Sequence, residues 1–377
     1  MDDIFNLSEV DIDQLPAVGD VAVSGEVVAI PTTDPYWQIP TPVLSTFLQL
    51  ASLFSWRSGR DLTSKSVSLT LSEDRTTLEC RATDFDTFLL HKIPLTGQTP
   101  IPGNLIFPTQ TLLKLTKLCP KTLVIKQGEG SPSALIMGQW VEIEPIILDP
   151  SLYVNTDPVT QSGSLSFDGI TSLIPIASSA VVPKDRNISF YSSSIQCTYL
   201  WSTIQVKASS PLQFILSSRE ATLLKSLSGD VQVGVTQSDL PRLSLSTPST
   251  TILVIYRKPE AEESTINIPP FHLEIDPAIL HSLVQLSETL PSSSGLLQLQ
   301  YTDSLVITYC SKLSNTQYSV SSNLQGQPTV LEAESIQTKI LKQLLKPLGN
   351  RTIKMSWDTT TLYLSSDQAT VSIQFES

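Results

Sequence analysis

A row of lysines is the feature of this sequence best suited to binding a charged partner. In the stretch 335–350, Lys339, Lys342 and Lys346 recur at i, i+3 and i+7, which places them on one face of a helix. The opposite face is apolar and consists of Ile340, Leu341, Leu344 and Leu345. Such a face attracts a polyanion, because it carries three cations and no anion.

The same spacing of basic residues recurs elsewhere in the chain. The stretch 108–121 carries Lys114, Lys117 and Lys121, and the stretch 217–229 carries Arg219 and Lys225 in a weaker version. A Leu-Leu-Lys sequence occurs in all three stretches. We interpret this recurrence as a threefold internal repeat that presents basic helices to one common partner.

The composition sets limits on that partner. The chain has 377 residues, 40% of them hydrophobic and 16% charged, which is typical of a globular protein with two or three domains. Its formal net charge is −12, and residues 1–20 carry six Asp and Glu without a Lys or Arg. This balance argues against a protein that coats DNA with its whole surface, but not against one that confines positive charge to an inner face.

The sequence lacks the motifs of common enzymes. It contains no G-x-x-x-x-G-K-[ST] loop, no G-x-G-x-x-G and no H-E-x-x-H, and its four cysteines form no C-x-x-C pair. We therefore expect no enzyme, no catalytic residue, no metal site and no cofactor. No apolar run reaches the ~18 residues of a membrane span, and the N-terminus is acidic where a signal peptide would be basic, so we expect a cytoplasmic protein.

The order of strand-like and helix-like stretches indicates three repeats of mixed α and β content. We predict an acidic N-terminal extension over 1–34, followed by domains over 35–157, 158–268 and 269–377. The first domain is expected to contain the order strand–helix–strands twice. Capping chemistry predicts helix starts at Thr41, before Pro42, and at Asp276, before Pro277.

Several stretches of this layout resemble one known family. They are LECRATDFDTFLLHKIPL at 78–95, LIFPTQTLLKLTKLCPKTLVIKQ at 105–127, IILDPSLYVN at 146–155 and ILKQLLKPLGNRTIKMSWDTTTLYLSSDQATVSIQFE at 340–376. Each is similar to a segment of the DNA polymerase sliding clamps of the bacterial three-domain type, the polymerase III beta subunits. The resemblance covers about residues 36–377 as architecture and suggests a phage or otherwise divergent member.

The resemblance implies a fold, a function and partners. The fold would be α+β, with three pseudo-repeated DNA-clamp domains, each with two helices lining a hole and β-sheets on the outside. Two chains would close a homodimer ring around duplex DNA and tether a replicative polymerase for processive synthesis, binding DNA without sequence specificity. The polymerase and a clamp loader would bind through short peptide motifs, in a bacterial or infected bacterial cell.

The resemblance also assigns candidate site residues. The DNA-binding candidates on the second helix of each domain are Lys114, Lys117, Lys121, Arg219, Lys225, Lys339, Lys342 and Lys346. Further candidates follow the first helix of domains 1 and 2: Arg57, Arg60, Lys184 and Arg186. A partner-peptide pocket between domains 2 and 3 would be formed near Leu200, Trp201, Ile373 and Phe375. The family's Thr-Asp-Gly-His-Arg-type turn at that pocket is replaced here by Tyr-Leu-Trp-Ser-Thr-Ile at 199–204.

Two alternatives stay open at this stage. A clamp-like factor used in transcription or repair would have the same ring and other clients. A β-rich viral structural or interaction protein that binds no DNA would explain the Ser/Thr-rich strands and the acidic total. The one-sided lysine faces favour a clamp, because a structural protein does not need them.

Overall fold

Antiparallel strands are the commonest element in the part of the chain that the computed structural model describes. The described residues are 35–54, 61–95, 103–127, 131–166, 173–174, 176–177, 187–199, 202–224, 227, 230–260, 262–263, 265–289, 293–302, 304–311, 315–320, 324–328, 330–349 and 352–375. Among them, no helix is long and apolar enough to cross a membrane.

The first segment contains the order strand, helix and three strands twice. Its elements are β1 (Tyr36–Pro40), α1 (Thr41–Ser52), β2 (Ser66–Leu71), β3 (Thr77–Thr83), β4 (Phe88–Pro94), β5 (Asn104–Pro108), α2 (Thr109–Leu118), β6 (Thr122–Gln127), β7 (Pro132–Ile136) and β8 (Gln139–Glu142). The two halves exchange their first strands, which gives the strand orders β5-β2-β3-β4 and β1-β6-β7-β8. This exchange ties the halves into one unit.

The second segment repeats this plan. Its described elements are β9 (Val159–Ser166), β10 (Asn187–Phe190), β11 (Ser194–Tyr199), β12 (Ser202–Lys207), β13 (Phe214–Ser217), α3 (Ser218–Leu223), β14 (Asp230–Thr236), β15 (Arg242–Ser246) and β16 (Thr250–Ile255). The strand orders β13-β10-β11-β12 and β9-β14-β15-β16 show the same exchange of first strands.

The third segment has the plan again, with one additional short strand. Its elements are β17 (His272–Ile275), α4 (Pro277–Thr289), β18 (Ser293–Tyr301), β19 (Leu305–Ser311), β20 (Asn315–Val320), β21 (Leu324–Gln325), β22 (Leu331–Gln337), α5 (Thr338–Leu348), β23 (Ile353–Trp357), β24 (Thr361–Ser365) and β25 (Ala369–Gln374). The three segments thus form the mixed α and β fold of three repeated units that the sequence predicted. The exact domain boundaries stay a prediction.

The helices pack in pairs over the sheets. The helix α1 contacts α2, and α4 contacts α5. Of the two capping predictions, the one at Asp276 is confirmed, because its Oδ1 accepts a hydrogen bond from the Ala278 N–H at 2.8 Å. The one at Thr41 is wrong: Thr41 is already helical, Pro40 takes the cap position, and the Thr41 N–H donates to the Lys121 carbonyl at 3.1 Å.

Two sheets continue from one segment into the next. The strand β4 pairs with β16, with His91 opposite Thr250, and β12 pairs with β25, with Thr203 opposite Ser372. In both cases the last strand of a first half pairs with the last strand of a second half. These backbone hydrogen bonds hold the two paired strands side by side. Two segments joined in this way therefore keep a fixed angle to each other.

Side chains reinforce the first of these junctions. The His91 Nδ1 and the Thr250 Oγ1 lie 2.8 Å apart, and burial lowers the pKa of His91, which favours its neutral form. Beside them, Arg219 of α3 makes an ion pair of 2.6 Å with Asp84, whose side chain is only 4% exposed. Arg242 donates to the carbonyl of Phe85 at 3.0 Å, so two arginines of the second segment hold the turn after β3.

Loss of the Arg219 side chain should weaken this junction. Arg219→Ala leaves the Asp84 carboxylate buried without its cation, so we expect the free energy of unfolding to fall by about 1–3 kcal/mol. Urea unfolding followed by tryptophan fluorescence would measure the change.

Arg257→Ala provides the matched control. Arg257 also pairs with a carboxylate, that of Glu220, but its side chain is 42% exposed, and exposed pairs contribute less than about 1 kcal/mol. Equal losses of unfolding free energy in the two variants would contradict a stabilising role of the Arg219–Asp84 ion pair beyond that of an exposed pair.

Candidate nucleic-acid interface

The helix α2 carries its lysines on the side that faces away from the core. Leu112 and Leu115 are buried, whereas Lys114 and Lys117 are exposed. Lys121 is also exposed and follows the end of the helix, directly after Pro120. The predicted one-sided basic face is therefore present on this helix.

The helix α5 has the same division in a stronger form. Its buried residues are Ile340, Leu341, Leu344, Leu345 and Leu348. Lys342 and Lys346 are exposed, and the Lys346 Nζ donates to the Gln343 Oε1 at 3.2 Å. Lys339 occupies the first turn, but its side chain lies outside the described part of the chain.

Local sequence fixes where α5 ends. Lys346 in the last turn interacts favourably with the negative end of the helix dipole. Gly349 follows with a φ of 72°, in the positive-φ region that glycine adopts without the steric cost of a Cβ. The lysines thus belong to a helix whose core face and end are both well determined.

The helix α3 of the second segment differs from α2 and α5. It is short and begins with a capping box, in which the Ser217 Oγ accepts from the Glu220 N–H and the Glu220 carboxylate accepts from the Ser217 N–H. Its cation, Arg219, lies in the ion pair with Asp84 and stands over the Phe54 ring at 5.5 Å. Arg219 thus contacts the first segment, which the sequence did not indicate.

Several predicted DNA-binding residues fall outside the described residues. They are Lys225, Arg57, Arg60, Lys184 and Arg186. Their assignment stays a prediction.

The predicted peptide pocket is described only in part. Leu200 and Trp201 lie outside the described residues. Ile373 of β25 is 1% exposed and belongs to the hydrophobic core, while Phe375 packs against that core and is partly buried. Since β25 pairs with β12, both residues lie next to the junction of the second and third segments.

Acidic side chains and cysteines are the other groups of the described residues that could bind a metal ion or react. Among them, no three or more His, Cys, Asp or Glu side chains are grouped so as to hold a metal ion. Of the neighbouring acidic residues Asp84 and Asp86, Asp84 makes the ion pair with Arg219. Burial raises the pKa of the Cys80 and Cys119 thiols, so these cysteines are poor nucleophiles at neutral pH.

The unpaired outer edges of two sheets were not predicted from the sequence. The strands β7 and β8 are joined by Met137 and Gly138, which have φ values of 49° and 80°, the signature of a type I′ turn. This turn makes Ile136 and Gln139 a hydrogen-bonded pair, so the N–H groups of Trp140 and Glu142 point to the outer edge of β8. No described strand pairs with that edge, nor with the outer edge of β20.

The chain resembles known proteins in its structure but not in its sequence. No protein-family model matches the chain, and no curated protein matches it in sequence. Solved structures do match over nearly the whole chain. The DNA polymerase III subunit beta of Borrelia burgdorferi superimposes with a TM-score of 0.70 at 14% identity, covering 91% of this chain and 100% of that one.

Two further structures agree with this match. The Helicobacter pylori beta clamp bound to a DNA ligase peptide gives a TM-score of 0.70 at 11% identity, covering 91% of this chain and 100% of that one. The Bacillus subtilis DNA polymerase sliding clamp gives 0.68 at 14% identity, with 92% and 100% covered. The chain therefore has the fold of the bacterial DNA polymerase III beta subunit sliding clamps.

Proposed function

We propose that this protein is a DNA sliding clamp, a homodimer ring that encircles duplex DNA and tethers a replicative polymerase. The observation that carries the proposal is the exposure of Lys114, Lys117, Lys342 and Lys346 on helices of a clamp fold whose formal net charge is −12. A non-enzymatic tether needs no cofactor or metal, and its site of action is the cytoplasm of a bacterial or infected bacterial cell.

The lysine faces suit a partner that must slide. Duplex DNA carries a phosphate charge about every 1.7 Å of its axis, and lysines attract these charges without reading the bases. A lysine is a flexible point charge, whereas an arginine fork holds one phosphate in one geometry. The acidic remainder of the surface repels other DNA segments and favours the path along the helices.

The set of proposed DNA contacts follows from exposure. Lys121 joins the four exposed helix lysines, and Lys339 joins them by its position in α5. We leave Arg219 out, because its ion pair with the buried Asp84 holds it at the segment junction. The contacts of the second segment therefore depend on Lys225, Lys184 and Arg186, which stay predictions.

The strand order supports closure into a ring. The pairs β4–β16 and β12–β25 each join the last strand of a first half to the last strand of a second half. Two such last strands have no described partner on their outer edge. They are β20, the last strand of the first half of the third segment, and β8, the last strand of the second half of the first segment. Pairing β20 of one chain with β8 of another, twice in a two-fold dimer, uses both edges and closes the assembly.

We place the partner-peptide pocket at the junction of the second and third segments, near Leu200, Trp201, Ile373 and Phe375. The H. pylori clamp in the comparison is bound to a DNA ligase peptide, which supports peptide recognition as the way in which clients attach. The clients proposed here are the polymerase and the clamp loader. A clamp for transcription or repair would have the same ring and differ only in these clients.

Neutralising the exposed helix lysines should weaken DNA binding. Changing Lys114, Lys117, Lys342 and Lys346 to Gln removes cations that face phosphates, so we expect affinity for a short duplex to fall about tenfold or more. The slope of log affinity against log salt should become shallower by about 2–4. Fluorescence anisotropy over a salt series measures both.

The matched control removes the same charge elsewhere. Lys92, Lys207, Lys258 and Lys354 are exposed on strands and on the linker before β17, and changing them to Gln should leave affinity and salt slope nearly unchanged. Equal losses in both sets would mean that only the total charge matters, and no loss in either would remove the proposed DNA-binding face.

A proline at the outer edge of β8 should open the ring. Glu142→Pro removes an N–H that points to the outer edge, so we expect the two-chain particle to dissociate into single chains at micromolar concentration. Glu142→Thr keeps the N–H and should leave the particle intact. Light scattering after gel filtration measures both, and a Pro variant that stays dimeric would contradict this ring junction.

A further inference from the structure

We propose that the acidic N-terminal tail, residues 1–34, binds the lysine face of α2 and competes there with DNA. The lysine face of α2 consists of Lys114, Lys117 and Lys121. The proposal rests on the clamp function proposed above and adds a regulation of its DNA-binding face. It follows from the charge of the tail, the charge of this face and the place where the tail joins the fold.

The tail and the stretch that contains α2 are opposite in charge. Residues 1–34 contain eight Asp or Glu and no Lys or Arg. The stretch 105–127 contains four Lys and no Asp, Glu or Arg. Two blocks of opposite sign in one chain attract each other, and neither contains a charge that would oppose the contact.

The lysines of this face are available to an anion. Lys114, Lys117 and Lys121 are exposed and make no ion pair with another described residue. The fourth lysine of the stretch differs, because the Lys126 Nζ lies 4.6 Å from the centre of the Trp140 ring. Like charges one turn apart on a helix repel each other, so a bound carboxylate relieves an unfavourable interaction on α2.

The tail joins the fold beside this face. The strand β1 pairs with β6 so that Tyr36 lies opposite Lys126, and the Pro35 carbonyl accepts from the Gln127 N–H at 3.2 Å. Lys121 directly precedes β6, and its carbonyl accepts from the Thr41 N–H at 3.1 Å. Five residues of strand at about 3.3 Å each separate Lys126 from Lys121, so the tail joins the fold about 17 Å from this lysine.

The tail is long enough to reach all three lysines. The six acidic residues of positions 2–20 lie 15–33 positions before Pro35. Even the shortest of these connections can span about 50 Å when extended. Covalent attachment makes the contact intramolecular, so the tail competes with DNA at a high effective concentration.

A tail bound in this way lowers the affinity for DNA without abolishing it. Duplex DNA carries a phosphate charge about every 1.7 Å of its axis, a denser array than the carboxylates of the tail. DNA therefore displaces the tail, and the loss of affinity is largest at low salt, where screening is weakest.

Carbodiimide cross-linking of the full-length protein tests the contact without DNA, because the reagent joins a carboxylate to an amine that touches it. We expect mass spectrometry to find amide bonds between acidic residues of the tail and the lysine face of α2, and added duplex should reduce their yield several-fold. The proposal is overturned if the tail cross-links only to the other exposed lysines Lys92, Lys207, Lys258 and Lys354, or to no lysine.

DNA binding by a tail variant tests the competition. Its six changes are Asp2→Asn, Asp3→Asn, Glu9→Gln, Asp11→Asn, Asp13→Asn and Asp20→Asn. We expect affinity for a short duplex to rise about threefold to tenfold at about 50 mM salt and less than twofold at about 0.5 M salt. Fluorescence anisotropy measures the change.

The matched control neutralises six exposed acidic residues elsewhere, namely Glu73, Glu144, Asp239, Glu260, Glu262 and Glu332. Changed to the corresponding amides, they should alter affinity less than twofold. Equal rises in both variants, or no rise in the tail variant, overturn the competition.

The two experiments separate this proposal from the clamp function. A protein that binds duplex with the same affinity in the tail variant, and that forms no cross-link between the tail and α2, overturns the proposal and leaves the clamp function in place. Cross-links between the tail and α2 in a protein that binds no duplex support the contact and overturn the clamp function.

Discussion

Pairing of strand edges between segments is the constraint on which this structure depends. An unpaired edge presents a row of unsatisfied N–H and C=O groups, and the chain satisfies them at β4–β16 and β12–β25 by continuing a sheet into the next segment. This pairing sets the angle between segments and brings the start of α3 to the end of α1. The helices keep a fixed order as a consequence, and the lysines on them keep fixed neighbours.

Local periodicity was sufficient to predict the lysine faces. Ile340, Leu341, Leu344 and Leu345 are buried as their spacing indicated, because a helix face is determined by residues within a few turns of one another. The strand Ser66–Leu71 is of the same kind, since a run rich in β-formers is recognisable from its own residues. The α+β architecture followed from the order of such elements.

Contacts between distant residues were beyond prediction from the sequence. Asp84 and Arg219 are 135 positions apart, and nothing in either local pattern indicates that they pair. The sequence therefore assigned Arg219 to DNA, by analogy with the lysines. The predicted cap at Thr41 was wrong because of a purely local effect. Pro40 takes the cap position instead, since its φ of −60° suits an extended residue before a helix.

The proposed function requires that two chains close into a ring whose hole admits duplex DNA. Electron microscopy of single particles at micromolar concentration tests it most directly. We predict a closed two-chain ring of six similar units around a central hole wide enough for a duplex. A solid particle without a hole, or an open arc made of one chain, would contradict it.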